Sequence, residues 1–143
     1  MRQGVYLTRM AKTSKPVDLA PLFAALADPT RLRLLNLMHG REVCVCFLVE
    51  VLAQPQPKIS RHLAYLRRAG IVAARREGKW MHYRIVQPEN PGAKAILEVI
   101  LHSFQADPRM ASDLKTLDRV CCSPQQFVTL QGAPVPAPHT AST

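Results

Sequence analysis

From Pro55 to Gly70 the chain reads Pro-Gln-Pro-Lys-Ile-Ser-Arg-His-Leu-Ala-Tyr-Leu-Arg-Arg-Ala-Gly, a run that few folds accommodate. Pro57 suits a first helical turn, whose amide would be unpaired in any case. Ile59, Leu63 and Leu66 recur at i, i+4 and i+7 and form one core-facing stripe, and Gly70 is a natural stop. Lys58, Ser60, Arg61 and Arg68 fall mostly off that stripe. The helix must pack by one side while it offers cations and hydrogen-bonding groups on the other.

Its neighbours narrow the choice. Leu19, Leu22, Phe23 and Leu26 predict an amphipathic helix over 17–27. Asp28-Pro29-Thr30-Arg31 supplies an N-cap acid with Pro behind it, so a second helix is expected from there to Gly40. The run 46–52 is short and apolar, and context favours a helix ending near Gln54. Downstream, residues 71–76 and 79–85 flank Glu77-Gly78 and predict a hairpin. In its second strand Trp80, His82 and Arg84 share one face and Met81, Tyr83 and Ile85 the other, which suggests a basic side and a packed side. A strongly apolar helix is expected over 96–104, too apolar all round for one stripe, so part of it should bury against a second copy of the chain. A weaker helical pattern covers 108–119.

Two helices joined by a tight turn, the second basic outside, followed by a basic hairpin, make a winged helix-turn-helix, mainly α with a β-hairpin wing. A helix of that kind fills a major groove, where every base pair shows a distinct donor and acceptor pattern. Lys58, Arg61, Arg68, Arg75, Arg76 and Lys79 are candidates to neutralise phosphates, and Gln56, Ser60 and Arg61 to reach bases. His62 sits at the boundary of the apolar stripe, where packing, backbone contact and base readout all stay open.

The chain's 143 residues suit one domain: an arm over 1–16, a DNA-binding and dimerisation domain over 17–122, and a Pro- and Ala-rich tail over 123–143 whose composition should leave it mobile. Lys and Arg outnumber acids 19 to 10, a net charge of +9 that favours a polyanionic partner. No apolar run approaches the roughly 18 residues that span a bilayer, and the start lacks a signal peptide's apolar core. A cytoplasmic location follows, where thiols stay reduced. The four cysteines, clustered as Cys44-Val45-Cys46 and Cys121-Cys122, then suggest metal, metalloid or redox chemistry before a disulfide framework.

The stretches 28–31, 44–46, 54–63 and 78–84 closely resemble the ArsR/SmtB family, and within it the arsenic-responsive repressors. The resemblance covers about the middle half of the chain. It implies a homodimeric winged-helix repressor that binds an inverted-repeat operator in double-stranded DNA and lets go when trivalent arsenic or antimony binds as inducer. In repressors of the enterobacterial type the sensing motif is Cys-Val-Cys-x-x-Cys, whose first two thiols fall on Cys44 and Cys46 and whose third falls on Val49.

Soft, thiophilic centres prefer thiolate ligands. With Val49 in the third position, Cys121 or Cys122 is the remaining candidate to complete a three-sulfur site, from the same chain or from another subunit; equally, both are simply tail thiols. A two-thiol site would suit methylarsenite as well as arsenite. On a regular helix residues i and i+2 point about 200° apart, so Cys44 and Cys46 can share one centre only where the backbone leaves helical geometry, and capture is expected to remodel the helix start. Cys46 is expected to gain most from the helix N-terminus, which favours thiolate. Cadmium, lead or thiol oxidation are the alternative triggers. No CxxC pair, phosphate-cradling loop or acid, base and nucleophile set points to an enzyme or to a catalytic cofactor.

Overall fold

The computed structural model describes residues 18–127 and 130–138, and the arm expected over 1–16 lies outside them. The elements are α1 (Ala20–Leu26), α2 (Pro29–Met38), β1 (Arg41–Cys44), α3 (Val45–Leu52), α4 (Gln56–Arg68), β2 (Val72–Glu77), β3 (Trp80–Ile85), α5 (Pro91–Ser103), α6 (Pro108–Cys122) and β4 (Ala137–Pro138). Asp28 caps α2 by accepting the Arg31 amide at 3.0 Å. In α4 the stripe of Ile59, Leu63 and Leu66 is fully buried, and α4 packs on both α2 and α3. The chain passes from α3 to α4 through Ala53, which takes a left-handed conformation (φ 52°) and so breaks the helix within one residue.

The hairpin of β2 and β3 is joined by β1 in an antiparallel sheet of order β2-β3-β1-β4. Strand β1 was not expected from sequence. Its four residues are too few for a periodic signal, and pairing with β3 through Val43↔Tyr83 and Cys44↔His82 holds them extended. The expected division of β3 into a basic and a packed side does not hold. His82 (5% exposed) and Tyr83 (8%) are both buried although they lie on opposite faces, each flanked by β1 on one side and β2 on the other.

Helix α5 begins at Pro91, five residues ahead of its apolar run, because Asn90 accepts the Ala93 amide at 3.0 Å and starts the helix there. Helix α6 runs on through Cys122 and is clamped to α2. Asp113 receives Nε and Nη2 of Arg33 at 2.7 and 3.0 Å, and Asn36 Nδ2 donates to the Met110 carbonyl at 3.0 Å. Part of the segment expected to stay mobile is packed instead. Leu130 is buried, and β4 pairs with β1 through Arg41↔Pro138 and Glu42↔Ala137. An open strand edge leaves backbone groups unpaired, and the tail supplies partners that its composition did not advertise.

Candidate thiol site and nucleic-acid interface

Cys44 ends β1 and caps α3, its backbone extended (φ −66°, ψ 141°) while Val45 is already helical. The chain changes geometry between the two cysteines, and their Sγ atoms lie 3.0 Å apart. The divergence a continuous helix would impose never arises, so gathering the pair requires no remodelling of α3, contrary to the expectation above.

The two thiols are electrostatically unequal. Cys44, fully buried, is drawn down to about 7, chiefly because the Cys46 thiol hydrogen-bonds to it; burial opposes this, and the backbone amides of Cys46, Met81 and Val45 reinforce it. Cys46 is pushed up, since its proton is committed to Cys44 and since it too is partly buried. The thiolate advantage therefore falls on Cys44 rather than on Cys46. Amides serve both positions, those of Cys46, Met81 and Val45 at Cys44 and those of Phe47 and Cys46 at Cys46, but at Cys46 the proton held for Cys44, burial and the Cys44 charge outweigh them.

Cys121 and Cys122 lie at the C-terminal end of α6, the first half-buried, the second exposed. Burial raises the Cys121 pKa, with Arg41 opposing and Asp118 adding to the rise. Arg41 precedes Cys44 by three residues of extended chain, roughly 10 Å at about 3.3 Å per residue. Among the described residues no group of three or more His, Cys, Asp or Glu side chains is placed to hold a metal ion. One chain thus gathers Cys44 with Cys46 and leaves Cys121 and Cys122 apart.

One neighbour of the pair escaped sequence reasoning. His82 lies directly opposite Cys44 in the β1–β3 ladder, and its buried Nε2 has no hydrogen-bond partner among the described residues. Glu77 Oε2 is 3.3 Å away but off the direction a hydrogen bond needs. Alternation places His82 with Trp80 and Arg84; the pairing with β1, which sets it beside Cys44, carries no signal in the sequence.

On α4, Gln56, Lys58 and Arg61 are exposed and Ser60 is partly exposed, along the N-terminal half of the helix. His62 is turned inward, 3.3 Å from Arg31 Nη1 and 3.8 Å from Asp28, and burial lowers its pKa. Arg31 also donates to the Ala25 and Ala24 carbonyls at 2.7 and 2.9 Å and stacks 4.2 Å from the Tyr65 ring centroid. It ties the C-terminal end of α1 to α4. On the wing, Arg76 and Lys79 are exposed, Arg76 donating to the Gly78 carbonyl at 3.0 Å and Lys79 lying 4.8 Å over Trp80. Arg75 is engaged by Glu42 at 2.6 Å and by Glu77 at 3.1 Å, which takes it out of the free cations.

The profile described as bacterial regulatory protein, arsR family, matches residues 28–74, from the cap of α2 to the start of β2. The arsenical resistance operon repressor of Escherichia coli K12 is 54% identical over 104 residues, 71% of this chain and 86% of that protein. The arsenic resistance transcriptional regulator ArsR2 of Pseudomonas putida KT2440 is 39% identical over 112 residues, covering 71% and 95%. Among solved structures, the transcriptional repressor BigR of Xylella fastidiosa superposes with a TM-score of 0.53 at 27% identity, over 76% of this chain and 97% of that one. HlyU of Vibrio cholerae gives 0.52 at 30% identity, over 59% and 89%.

Proposed function

The chain belongs to the arsR family of bacterial regulatory proteins, and on that premise we propose that it is a metalloid-responsive transcriptional repressor that binds an inverted-repeat operator as a homodimer and is released when Cys44 and Cys46 capture trivalent arsenic or antimony. The observation that carries the reading is the pair of sulfurs 3.0 Å apart at the β1–α3 junction, next to the helix that supports α4. The arsenic named in the relatives' descriptions agrees with it.

The site's chemistry suits the task. Cys44 supplies a thiolate near neutral pH, and displacement of a hydroxide from arsenic lets Cys46 give up its proton to the leaving group as water. Both sulfurs then belong to one rigid centre, which locks the strand–helix junction in one geometry. Since α3 packs on α4, that lock biases how the reading helices sit relative to one another. Two heads must match major grooves roughly 34 Å apart. Converting 99:1 bound to 1:99 requires the ligand to favour the released form by about 5.5 kcal/mol. Gln56, Ser60 and Arg61 are the base-reading candidates, with Lys58, Arg76 and Lys79 on phosphates. Inward-turned His62 holds α4 in place. No helix among the described residues is long and apolar enough to cross a membrane, and a repressor acts where the DNA is, in the cytoplasm.

Operator binding by the reduced protein, titrated with arsenite, antimonite, methylarsenite, zinc, cadmium and lead, tests this. Trivalent arsenic and antimony are expected to weaken the complex; if none does, the regulator reading fails. Cys44→Ser and Cys46→Ser should each abolish the response while operator affinity stays within about twofold, as expected of residues remote from DNA. Cys121 and Cys122 are the candidates to add a further thiol, from the same chain or from another subunit, and an unchanged arsenite response in the double Ser variant removes both.

A further inference from the structure

We propose that His82 reads the third position of a metalloid held by Cys44 and Cys46, donating a hydrogen bond to the hydroxyl that arsenite or antimonite keeps there, and so selects hydroxylated over methylated trivalent arsenic. The inference deepens the metalloid-capture reading and rests on it. Val49 stands where a third thiol would complete the site. Arsenite therefore loses only two hydroxides. Two As–O bonds break, two As–S bonds form, each thiol proton leaves in a water molecule, and arsenic stays trivalent with one hydroxyl. Methylarsenite undergoes the same exchange and ends with a methyl group in that place.

His82 is positioned to tell these products apart. It faces Cys44 across the β1–β3 ladder, on the same side of the sheet, where opposite Cβ atoms lie about 4.5–5.5 Å apart. It is 5% exposed and its Nε2 has no hydrogen-bond partner among the described residues, an arrangement that is costly unless something occupies that atom. The nearest carboxylate, Glu77, is misaligned with the ring and already held by Arg75 at 3.1 Å. Burial beside Cys44 excludes the water that would otherwise compete for an As–OH group.

The test uses the reduced full-length protein with His82→Phe, which keeps a ring and loses the donor, and His82→Gln, which keeps a donor. Affinities for arsenite, antimonite and methylarsenite are read by protection of the thiols from alkylation, apart from operator release, and the arsenic coordination shell by X-ray absorption. Expected are a loss of arsenite and antimonite affinity of roughly two- to tenfold in His82→Phe, unchanged methylarsenite affinity, substantial recovery in His82→Gln, and a wild-type shell of two sulfurs and one oxygen. Equal losses for all three ligands would make His82 a structural residue only and overturn the proposal. So would three sulfurs in the wild-type shell, a result that does not depend on any variant folding. A wild type that captures arsenite yet stays on its operator sinks the regulator reading and leaves the His82 comparison intact.

Discussion

Cys44 and Cys46 share one contact and carry opposite loads, which makes the pair a one-proton unit near neutral pH. The Cys44 thiol lies at about 7 against its ordinary 9.0, so the stabilisation it contributes is complete above pH 9 and is lost as pH falls through 7. Cys46 is displaced upward, so its contribution is present below its ordinary value of 9.0 and lost as pH rises beyond it. Stability attributable to the pair should therefore climb between pH 7 and 9 and decline above. Denaturation midpoints across that range, compared with Cys44→Ser, check the sign; a midpoint that falls steadily from pH 7 to 9 contradicts the assignment. In a background lacking Cys121 and Cys122, thiolate absorbance should show one group titrating near 7. The pair was visible in sequence as a CxC spacing. Which thiol ionises was not, because that depends first on which way the Cys46–Cys44 hydrogen bond points, then on burial, and then on backbone amides that include Met81 of β3.

Helix α3 offers a way to complete what Val49 leaves open. Cys46 and Val49 are three residues apart on it, hence neighbours on one face, and both are partly buried against the same core. Val49→Cys should convert a two-sulfur site into a three-sulfur one and tighten arsenite binding by about tenfold or more, equivalent to about 1.4 kcal/mol. Titration calorimetry against wild type reads this, and unchanged affinity would show that the α3 face cannot bring a third thiol to the centre. The elements divide in an instructive way. Helices α2 and α4 were legible because cap, Pro and apolar spacing all agree at their ends. Strand β1 was hidden because its extension is imposed by β3, and the buried state of His82 was hidden with it. The start of α5 is set by the Asn90 cap, ahead of the apolar run that begins at Ile96, so apolar spacing alone marks only the later part of that helix. In α6 the buried set Met110, Asp113, Leu117 and Val120 includes a charge, so the stripe looked weaker than it is until Arg33 supplied its partner.

At the scale of the whole molecule, the proposed repressor needs two readers. One chain presents one α4 and one wing, whereas the inverted repeat proposed above would present two half-sites, so operator affinity is expected to hinge on a second copy held at fixed spacing. The large exposed hydrophobics are the natural candidates to meet that copy. Phe23 on α1 is 53% exposed and Val99 on α5 is 67% exposed, outside the core that the described residues form. Arg31 grips the C-terminal end of α1 and touches His62 and Tyr65 of α4, so whatever orients α1 at an interface also orients the reading helix. A charge at the centre of that face has to be desolvated for association, and Val99→Asp should therefore yield a folded monomer. Linking two heads multiplies affinity by about 10² to 10⁴ over one, so the monomer should bind a full operator at least a hundredfold more weakly. The slope of log affinity against log salt should also fall to about half, since one head meets half the phosphates. Sedimentation and operator titration over a salt series measure both quantities on one sample. A Val99→Asp protein that remains dimeric moves the interface away from α5, and one that is monomeric yet keeps wild-type affinity and slope removes the paired-head account of operator recognition.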